Sequence, residues 1–525
     1  MSQTPDNHTP VADQRSGQNP AQRIGLIVGL LLAIGLQFIP APEGLSQEAW
    51  LLASLGLMMA AWWATEAIPI AATGLVPIAL FPLFGITTTG AATAPYASPI
   101  IMLLLGGFII ALAVEKWNLH TRIALNVLSG FGGKPAALIG GFMVATALLS
   151  MWISNTATTL MMIPIALKVA QEVEHEGVAS KFFAPALVLG VAYAASIGGM
   201  ATPVGSPTNL IGMAYMENEF GRTIEFVEWM GLGIPAALLI IPAGWFILTK
   251  VVFKLDAKSE STAAKSMIAE QLKSLGRMTV PEVRVATLFG TVAILWMGRS
   301  LPSDILTWMP WFSGEDWTWG WNSVLTWFGA SLNLPFALAL GNTQIAVMGA
   351  LAAFLIPAGG NSGQGQALMD WEGVKRLPWD VIILFGGGLS LAAALRSTGL
   401  AVYLGSHLTF LTTLPLPILI LILVGIVVFL TELTSNVATT TAFLPVMGAL
   451  AAGAGVPPEQ LVIPVAIAAS CAFMLPVATA PNAIVYASGA TSQGQMIRAG
   501  FRINIAAIGI ITALGAWIGP MVFPG

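Results

Sequence analysis

Hydrophobic stretches of about twenty residues, divided by short polar connectors, recur along the chain from Ile24 to its C-terminal end. A helix of that length crosses a hydrocarbon core of roughly 30 Å, and lipid offers no partners to backbone N–H and C=O groups, so each stretch predicts a membrane helix. Spans are expected near 24–41, 49–65, 67–86 and 98–120, followed by an apolar pair of segments flanking a polar break at Ser154. Further spans are expected near 183–214, 228–253, 283–299, 343–358 and 381–401. A second apolar pair breaks at Ser435, and spans near 460–489 and 501–523 close the chain.

The two breaks are copies of one another. Ser154-Asn155-Thr156-Ala157-Thr158-Thr159 matches Ser435-Asn436-Val437-Ala438-Thr439-Thr440 at an offset of 281 residues, with five of six positions identical. The same offset pairs Pro164 with Pro445, Ser150 with Thr431, Gly106-Gly107 with Gly387-Gly388 and Leu119 with Leu400. Downstream, Pro203 to Asn209 matches Pro476 to Asn482 at an offset of 273. A duplicated unit explains both. Five crossings separate the breaks in this segmentation, an odd number, so the repeats are expected to be inverted in the membrane. The predicted fold is an all-α polytopic membrane protein of about 11 transmembrane helices plus two re-entrant hairpins in two inverted repeats. Its expected parts are a disordered cytoplasmic tail at 1–23, a first helix and connector at 24–48, repeat 1 at 49–254, a cytoplasmic connector at 255–281 and repeat 2 at 282–525.

Composition narrows the class. Of 525 residues 56% are hydrophobic and 9% charged, and the mean hydropathy of +0.81 excludes a soluble domain. The 55 glycines and 33 prolines point to broken or closely packed helices. A net charge of −4 offers no basic field for nucleic acid, and one cysteine, Cys471, allows no disulfide framework. Lys250, Lys254, Lys258, Lys265, Lys273, Arg277 and Arg284 mark the connector after residue 250 as cytoplasmic, which gives an inside N-terminus and an outside C-terminus in the plasma (inner) membrane. Trp308, Trp311, Trp317, Trp319, Trp321 and Trp327 crowd an outside connector, read as an interfacial aromatic belt or a short helix lying on the bilayer.

The polar breaks carry the candidate chemistry. Neither contains Arg or Lys, so an anionic ligand would meet neutral donors: hydroxyls of Ser154, Thr156, Ser435, Ser206 and Thr479, amides of Asn155 and Asn436, and free N–H groups at helix N-termini. Such donors bind carboxylate oxygens but leave the charge uncompensated, and bound Na⁺ held by exposed carbonyl and side-chain oxygens would supply it. The glycine pairs are read as packing contacts. Glu432, beside the second break, is either an ion-coupling carboxylate or one hydrogen-bonded to backbone at a helix end. Glu66 is read as marking a membrane boundary. A phosphate-binding Gly-rich loop and a His cluster are both missing from the sequence, and no enzyme reading finds support.

At these residues the chain resembles the divalent anion/sodium symporter family, whose members import succinate, malate, fumarate or citrate, with some carrying sulfate. The marks are the two Ser-Asn breaks, Trp62 to Pro69, Leu105-Gly106-Gly107-Phe108, Phe385-Gly386-Gly387-Gly388 and Pro476 to Asn482. The resemblance implies a first sodium site from Ser150, Ser154, Asn155 and the Gly205 backbone. It implies a second from Thr431, Thr434, Asn436 and the Ala478 backbone. Substrate carboxylates would meet Ser154, Asn155, Thr156, Ser435, Asn436 and Thr479. A homodimer with a fixed scaffold and an elevator-like transport domain is also implied, with sodium ions the only coupling cofactor. Val437 stands in the second break where many bacterial members place Thr, and bears on substrate choice; Ala480 replaces a proline common in the family. The expected function is sodium-coupled dicarboxylate import. The alternatives are a sodium-independent exchanger of the same fold, citrate or sulfate as main substrate, a passive channel, and a non-transporting scaffold.

Overall fold

The computed structural model describes residues 20–178, 181–255, 260–299, 320–335, 338–360, 363–407 and 414–523. The principal helices are α1 (Pro20–Gly35), α2 (Gln47–Thr65), α3 (Pro99–Lys116), α4 (Pro135–Ser150), α5 (Asn155–His175), α6 (Phe183–Gly199), α7 (Pro207–Phe220) and α8 (Phe226–Phe246). After them come α9 (Val280–Met297), α10 (Asn342–Leu355), α11 (Trp379–Ser397), α12 (Leu416–Leu430), α13 (Asn436–Ala454), α14 (Glu459–Ala468), α15 (Ala480–Ala487) and α16 (Gln493–Ala513). Among the described residues, seven helical segments are long and apolar enough to cross a membrane, and six shorter apolar segments of 10–17 residues accompany them. The chain is a mostly helical membrane protein.

Local chemistry sets the helix ends. Proline takes the first position of α3, α4 and α7, where its missing N–H costs nothing. Thr279 and Ser492 close capping boxes with Glu282 and Gln495 at the starts of α9 and α16. α1 begins at Pro20, so its first turn takes in residues assigned to the expected tail; residues 1–19 lie outside the described set.

Two expected spans are each a broken helix, interrupted at the motifs that hold Ser206 and Thr479. The stretch 183–214 is two helices, α6 and α7, joined through the short turn Pro203–Gly205, and 460–489 is α14 and α15 joined by an irregular stretch with a turn at 476–478. Apolar content alone does not register such a break; the Pro-rich motifs at 203–209 and 476–482 mark where it falls. The all-α expectation is corrected, because α10 stops at Leu355 and the chain forms an antiparallel ribbon of Pro357–Gly359 and Gly363–Ala367. Arg284 donates to the Pro357 carbonyl at 2.6 Å, tying the ribbon to the start of α9.

The core centres on α6, which is buried without interruption from Pro185 to Gly199 and packs against α4 and α5. Small residues permit that closeness: a Cβ on Gly198 would lie 2.4 Å from the Ala147 carbonyl oxygen. The glycine pairs of the sequence do the same. A Cβ on Gly106 would lie 2.6 Å from the Ala346 carbonyl carbon, and one on Gly387 2.3 Å from the Gly74 carbonyl oxygen. Gly387→Ala is therefore expected to lower stability in detergent by about 1–3 kcal/mol through overpacking. Gly290→Ala, which meets nothing within 4 Å, should leave the thermal midpoint unchanged or slightly raised.

Of the crowded tryptophans, Trp308, Trp311, Trp317 and Trp319 lie outside the described residues. Trp321 and Trp327 sit on a short helix, Trp321–Ser331, that exposes Trp321, Val324, Trp327 and Phe328, an apolar face that suits an interfacial helix.

Candidate substrate and cation site

Both Ser-Asn breaks are tight turns between helices. α4 ends at Ser150, and Ser154 caps α5 by accepting the Ala157 N–H at 3.3 Å; α12 ends at Leu430, and Ser435 caps α13 by accepting the Ala438 N–H at 3.5 Å. The bonds recur at the sequence offset. Ser150 Oγ donates to Asn155 Oδ1 at 2.6 Å, and Thr431 Oγ1 donates to Asn436 Oδ1 at 2.7 Å. Thr159 Oγ1 reaches the Asn155 carbonyl at 2.8 Å, and Thr440 Oγ1 the Asn436 carbonyl at 2.7 Å. Each turn is thus held by its own residues, and the duplication extends from sequence to hydrogen bonding.

The broken helices repeat as faithfully. Asn209 Nδ2 donates to the Gly199 and Thr202 carbonyls at 2.8 and 2.7 Å, and Asn482 Nδ2 donates to the Ala472 and Leu475 carbonyls at 3.0 Å each. In both places a buried amide satisfies carbonyls that the break leaves without helical partners. A hydroxyl chain joins the breaks: Ser206 Oγ to Thr208 Oγ1 and Thr208 Oγ1 to Ser470 Oγ, each 2.9 Å.

All four elements meet at one cavity of about 630 Å³. Its walls include Ser154, Asn155, Thr156, Gly205, Ser206, Ser435, Asn436, Val437, Ala478 and Thr479. Every predicted substrate contact is therefore brought together. Ser150, Thr431 and Thr434 do not line the cavity; they stand behind the turns. Thr431 Oγ1 also reaches the Ala469 carbonyl at 3.0 Å, and Thr434 Oγ1 pairs with Thr439 Oγ1 at 2.5 Å. At Gly205 three carbonyl oxygens converge: a Cβ there would lie 2.6 Å from Gly199 O and 2.9 Å from both Met151 O and Ser150 O. With Asn155 Oδ1 close by, since a Cβ on Gly199 would lie 2.3 Å from it, this is a cluster of neutral oxygens of the kind a hard cation takes. Ala478, at the matching place in the second repeat, carries the methyl that Gly205 lacks.

The cavity also includes three charged residues, Glu66, Glu115 and Arg376; of these only Glu66 is named from the sequence above, as a membrane boundary. Glu66 caps α2 with left-handed backbone, φ 49°. Arg376 approaches Glu115 at 3.9 Å, and beside them Lys116 pairs with Asp370 at 2.6 Å; that ammonium and the Gly373 N–H hold the Asp370 carboxyl below the usual carboxylate range. The cavity thus reaches the end of the bundle where α3 finishes and α11 begins. At the opposite end of α11, Arg396 pairs with Glu219 at 3.3 Å, and beyond α9 Arg299 pairs bidentately with Glu225. The signal for the three residues was weak because nothing in the local pattern links positions 66, 115 and 376.

Glu432 resolves toward one of its two readings. Its carboxylate is buried and accepts the N–H groups of Phe473, Met474 and Leu475 at 2.7, 2.9 and 3.0 Å and Asn504 Nδ2 at 2.7 Å. It is a backbone-binding carboxylate at a helix break.

Apolar helices of membrane-spanning length, with two copies of a polar turn facing one cavity, define an integral membrane protein with a polar-lined cavity between its helices. Residues 21–524 match the family described as the sodium:sulfate symporter transmembrane region, and the chain belongs to that family, the divalent anion/sodium symporters. It is 37% identical to the sodium-dependent dicarboxylate transporter SdcS of Staphylococcus saprophyticus, over 97% of this chain and 93% of that protein. It is 39% identical to SdcS of Staphylococcus aureus, over 95% and 92% respectively. Among solved structures the fold is similar to that of Neisseria gonorrhoeae MtrF, with a TM-score of 0.54 and 15% identity over 95% of each chain. It is also similar to that of the Alcanivorax borkumensis YdaH transporter, with a TM-score of 0.50 and 15% identity over 90% of this chain and 98% of that one.

Proposed function

We propose that this protein imports small dicarboxylates of the succinate, malate and fumarate class across the plasma membrane, driven by sodium. The observation that carries the reading is that both polar turns, 281 residues apart in sequence, line one cavity with the two helix breaks. A volume of about 630 Å³ suits a small organic ligand. The paired hydroxyls and amides suit two carboxylates held at opposite ends. The names of the relatives support sodium and dicarboxylate together.

In this reading the first cation sits among Ser150, Ser154, Asn155 and the Gly205 backbone, and the second among Thr431, Thr434, Asn436 and the Ala478 backbone. At an effective dielectric of about 20, opposite unit charges about 4 Å apart attract by roughly 4 kcal/mol, enough to make a doubly negative ligand tolerable beside neutral donors. Each partner then raises the affinity of the other by the same factor. The hairpins α4–α5 and α12–α13 enter from opposite faces as halves of two inverted repeats, within about 11 crossings. Repeat 1 runs over 49–254 and repeat 2 over 282–525, with the N-terminus inside and the C-terminus outside. The cavity reaches Arg376, which with Lys375 falls on the cytoplasmic side by the excess of basic residues there; this favours an inward-facing state, which alternates by elevator-like movement within a homodimer. No cofactor beyond sodium is needed.

Reconstitution tests this. Proteoliposomes with an inward sodium gradient should concentrate labelled succinate well above the outside level, and replacing sodium with potassium should stop it. Uptake that requires succinate or malate inside, irrespective of sodium, would indicate an exchanger; downhill equilibration alone would indicate a channel.

A further inference from the structure

The cavity reaches one end of the bundle, and the 281-residue offset locates the matching surface toward the other. Glu115 lines the cavity on α3, and its counterpart on α11 is Arg396; Leu160 lines it on α5, and its counterpart on α13 is Thr441. Leu160 is 55% exposed, whereas Thr441 is 3% exposed and so close to α11 that a Cβ on Gly388 would collide with its methyl. The surface that matches the cavity wall is therefore present but shut, with α7, α11 and α13 packed pairwise around it.

Two arginines bind that end together. Arg396 pairs with Glu219 at 3.3 Å and donates to the Asn218 and Glu219 carbonyls at 2.8 and 3.3 Å, which caps the last turn of α7. Arg299, after α9, pairs bidentately with Glu225 at the start of α8 and donates to the Leu340 carbonyl at 3.3 Å. Both arginines follow residue 282 and both glutamates precede residue 254, so each pair ties one half of the chain to the other. Beside Glu225, Phe226 stacks on Trp296 with ring centroids 5.2 Å apart, and on Trp152 at 6.2 Å, two residues before Ser154. At the cavity mouth the Arg376–Glu115 pair is loose by comparison, 3.9 Å apart with side chains 57% and 36% exposed.

We infer that Arg299–Glu225 and Arg396–Glu219 form a latch across the two halves of the chain, and that its release opens a second entrance between α7, α11 and α13 in exchange for the first. None of the four residues lines the cavity. They are positioning residues that set how often the second entrance is open. Weakening contacts made only in the dominant state raises the minor state by the same free energy, so loss of the latch shows first as access from the far side. The inference rests on the alternating-access reading above, not on which ligand is carried.

The test reads access from each face with a membrane-impermeant maleimide on sealed vesicles, in a Cys471→Ala background because Cys471 is the chain's one cysteine. Leu160→Cys reports the present cavity, and the face from which it labels defines the mouth side; Thr441→Cys is probed from the other face. With the latch intact, Thr441→Cys should label slowly. Arg299→Gln and Arg396→Gln should each speed it about threefold or more, and the two together about tenfold or more, while Leu160→Cys labelling stays level or falls. Arg222→Gln removes a pair with Glu228 inside the first half and should change neither rate by more than about twofold. Labelling that rises at both positions would mean general loosening; that result, or an unchanged Thr441→Cys rate in the folded double variant, would overturn the inference. Should Arg299→Gln not be recovered folded by size exclusion, Glu225→Gln removes the same pair from the other side and must give the same rise. Wild-type protein without sodium-driven uptake would instead sink the functional reading, and the two labelling rates would still decide the latch.

Discussion

Asn155→Ala and Asn436→Ala should each reduce sodium-driven succinate uptake by about a hundredfold or more, corresponding to roughly 3 kcal/mol, with the protein still inserted and folded. Each asparagine does two jobs at once. Its Oδ1 accepts a hydroxyl behind the turn, from Ser150 at 2.6 Å or Thr431 at 2.7 Å, while the residue lines the cavity in front. Truncation leaves the Ser150 hydroxyl unpaired in the first turn, and Thr431 with only its bond to the Ala469 carbonyl in the second, and it removes an oxygen from the proposed cation cluster, so anion and cation binding are expected to fail together. Undiminished transport in both variants would refute the site. Serine at either position, which restores an oxygen at shorter reach, should recover only part of the loss.

Gly205→Ala is expected to have the next largest effect. The added methyl would stand 2.6 Å from the Gly199 carbonyl oxygen and 2.9 Å from those of Met151 and Ser150, in the space the first cation is proposed to use. Overpacking by one methyl costs about 1–3 kcal/mol, or roughly five- to a hundredfold in affinity, and the loss should fall on sodium dependence before maximal rate. Titration of uptake against sodium checks it. Ala478→Gly in the other repeat removes a methyl the structure already accommodates and should move half-saturating sodium by less than about threefold. If Gly205→Ala behaves as wild type, the oxygen cluster at that glycine is structural only.

Much of this site is legible in the order of residues, for local reasons. A Ser-Asn pair interrupting an apolar stretch marks an N-cap, and capping is settled within about four residues. Ser154 and Ser435 accordingly cap α5 and α13. The repeat offsets are equally visible, and they carry down to matching bonds such as Asn209 to Gly199 and Asn482 to Ala472. Hydropathy is a poorer guide where a helix breaks without ceasing to be apolar, as between α6 and α7, and it gives no sign of the ribbon after Leu355.

What the amino-acid order determined by itself is the set of helices, the duplicated polar turns and the residue types they offer, because periodicity, capping and backbone satisfaction act over a few neighbouring positions. Only the packed molecule decided that turns 281 residues apart share a cavity, that Glu66, Glu115 and Arg376 line it too, and that Glu432 binds the backbone at 473–475. Those pairings depend on which helix faces lie close enough to exclude water and lipid, and small residues such as Gly198 and Gly387 set that closeness far from the residues they bring together.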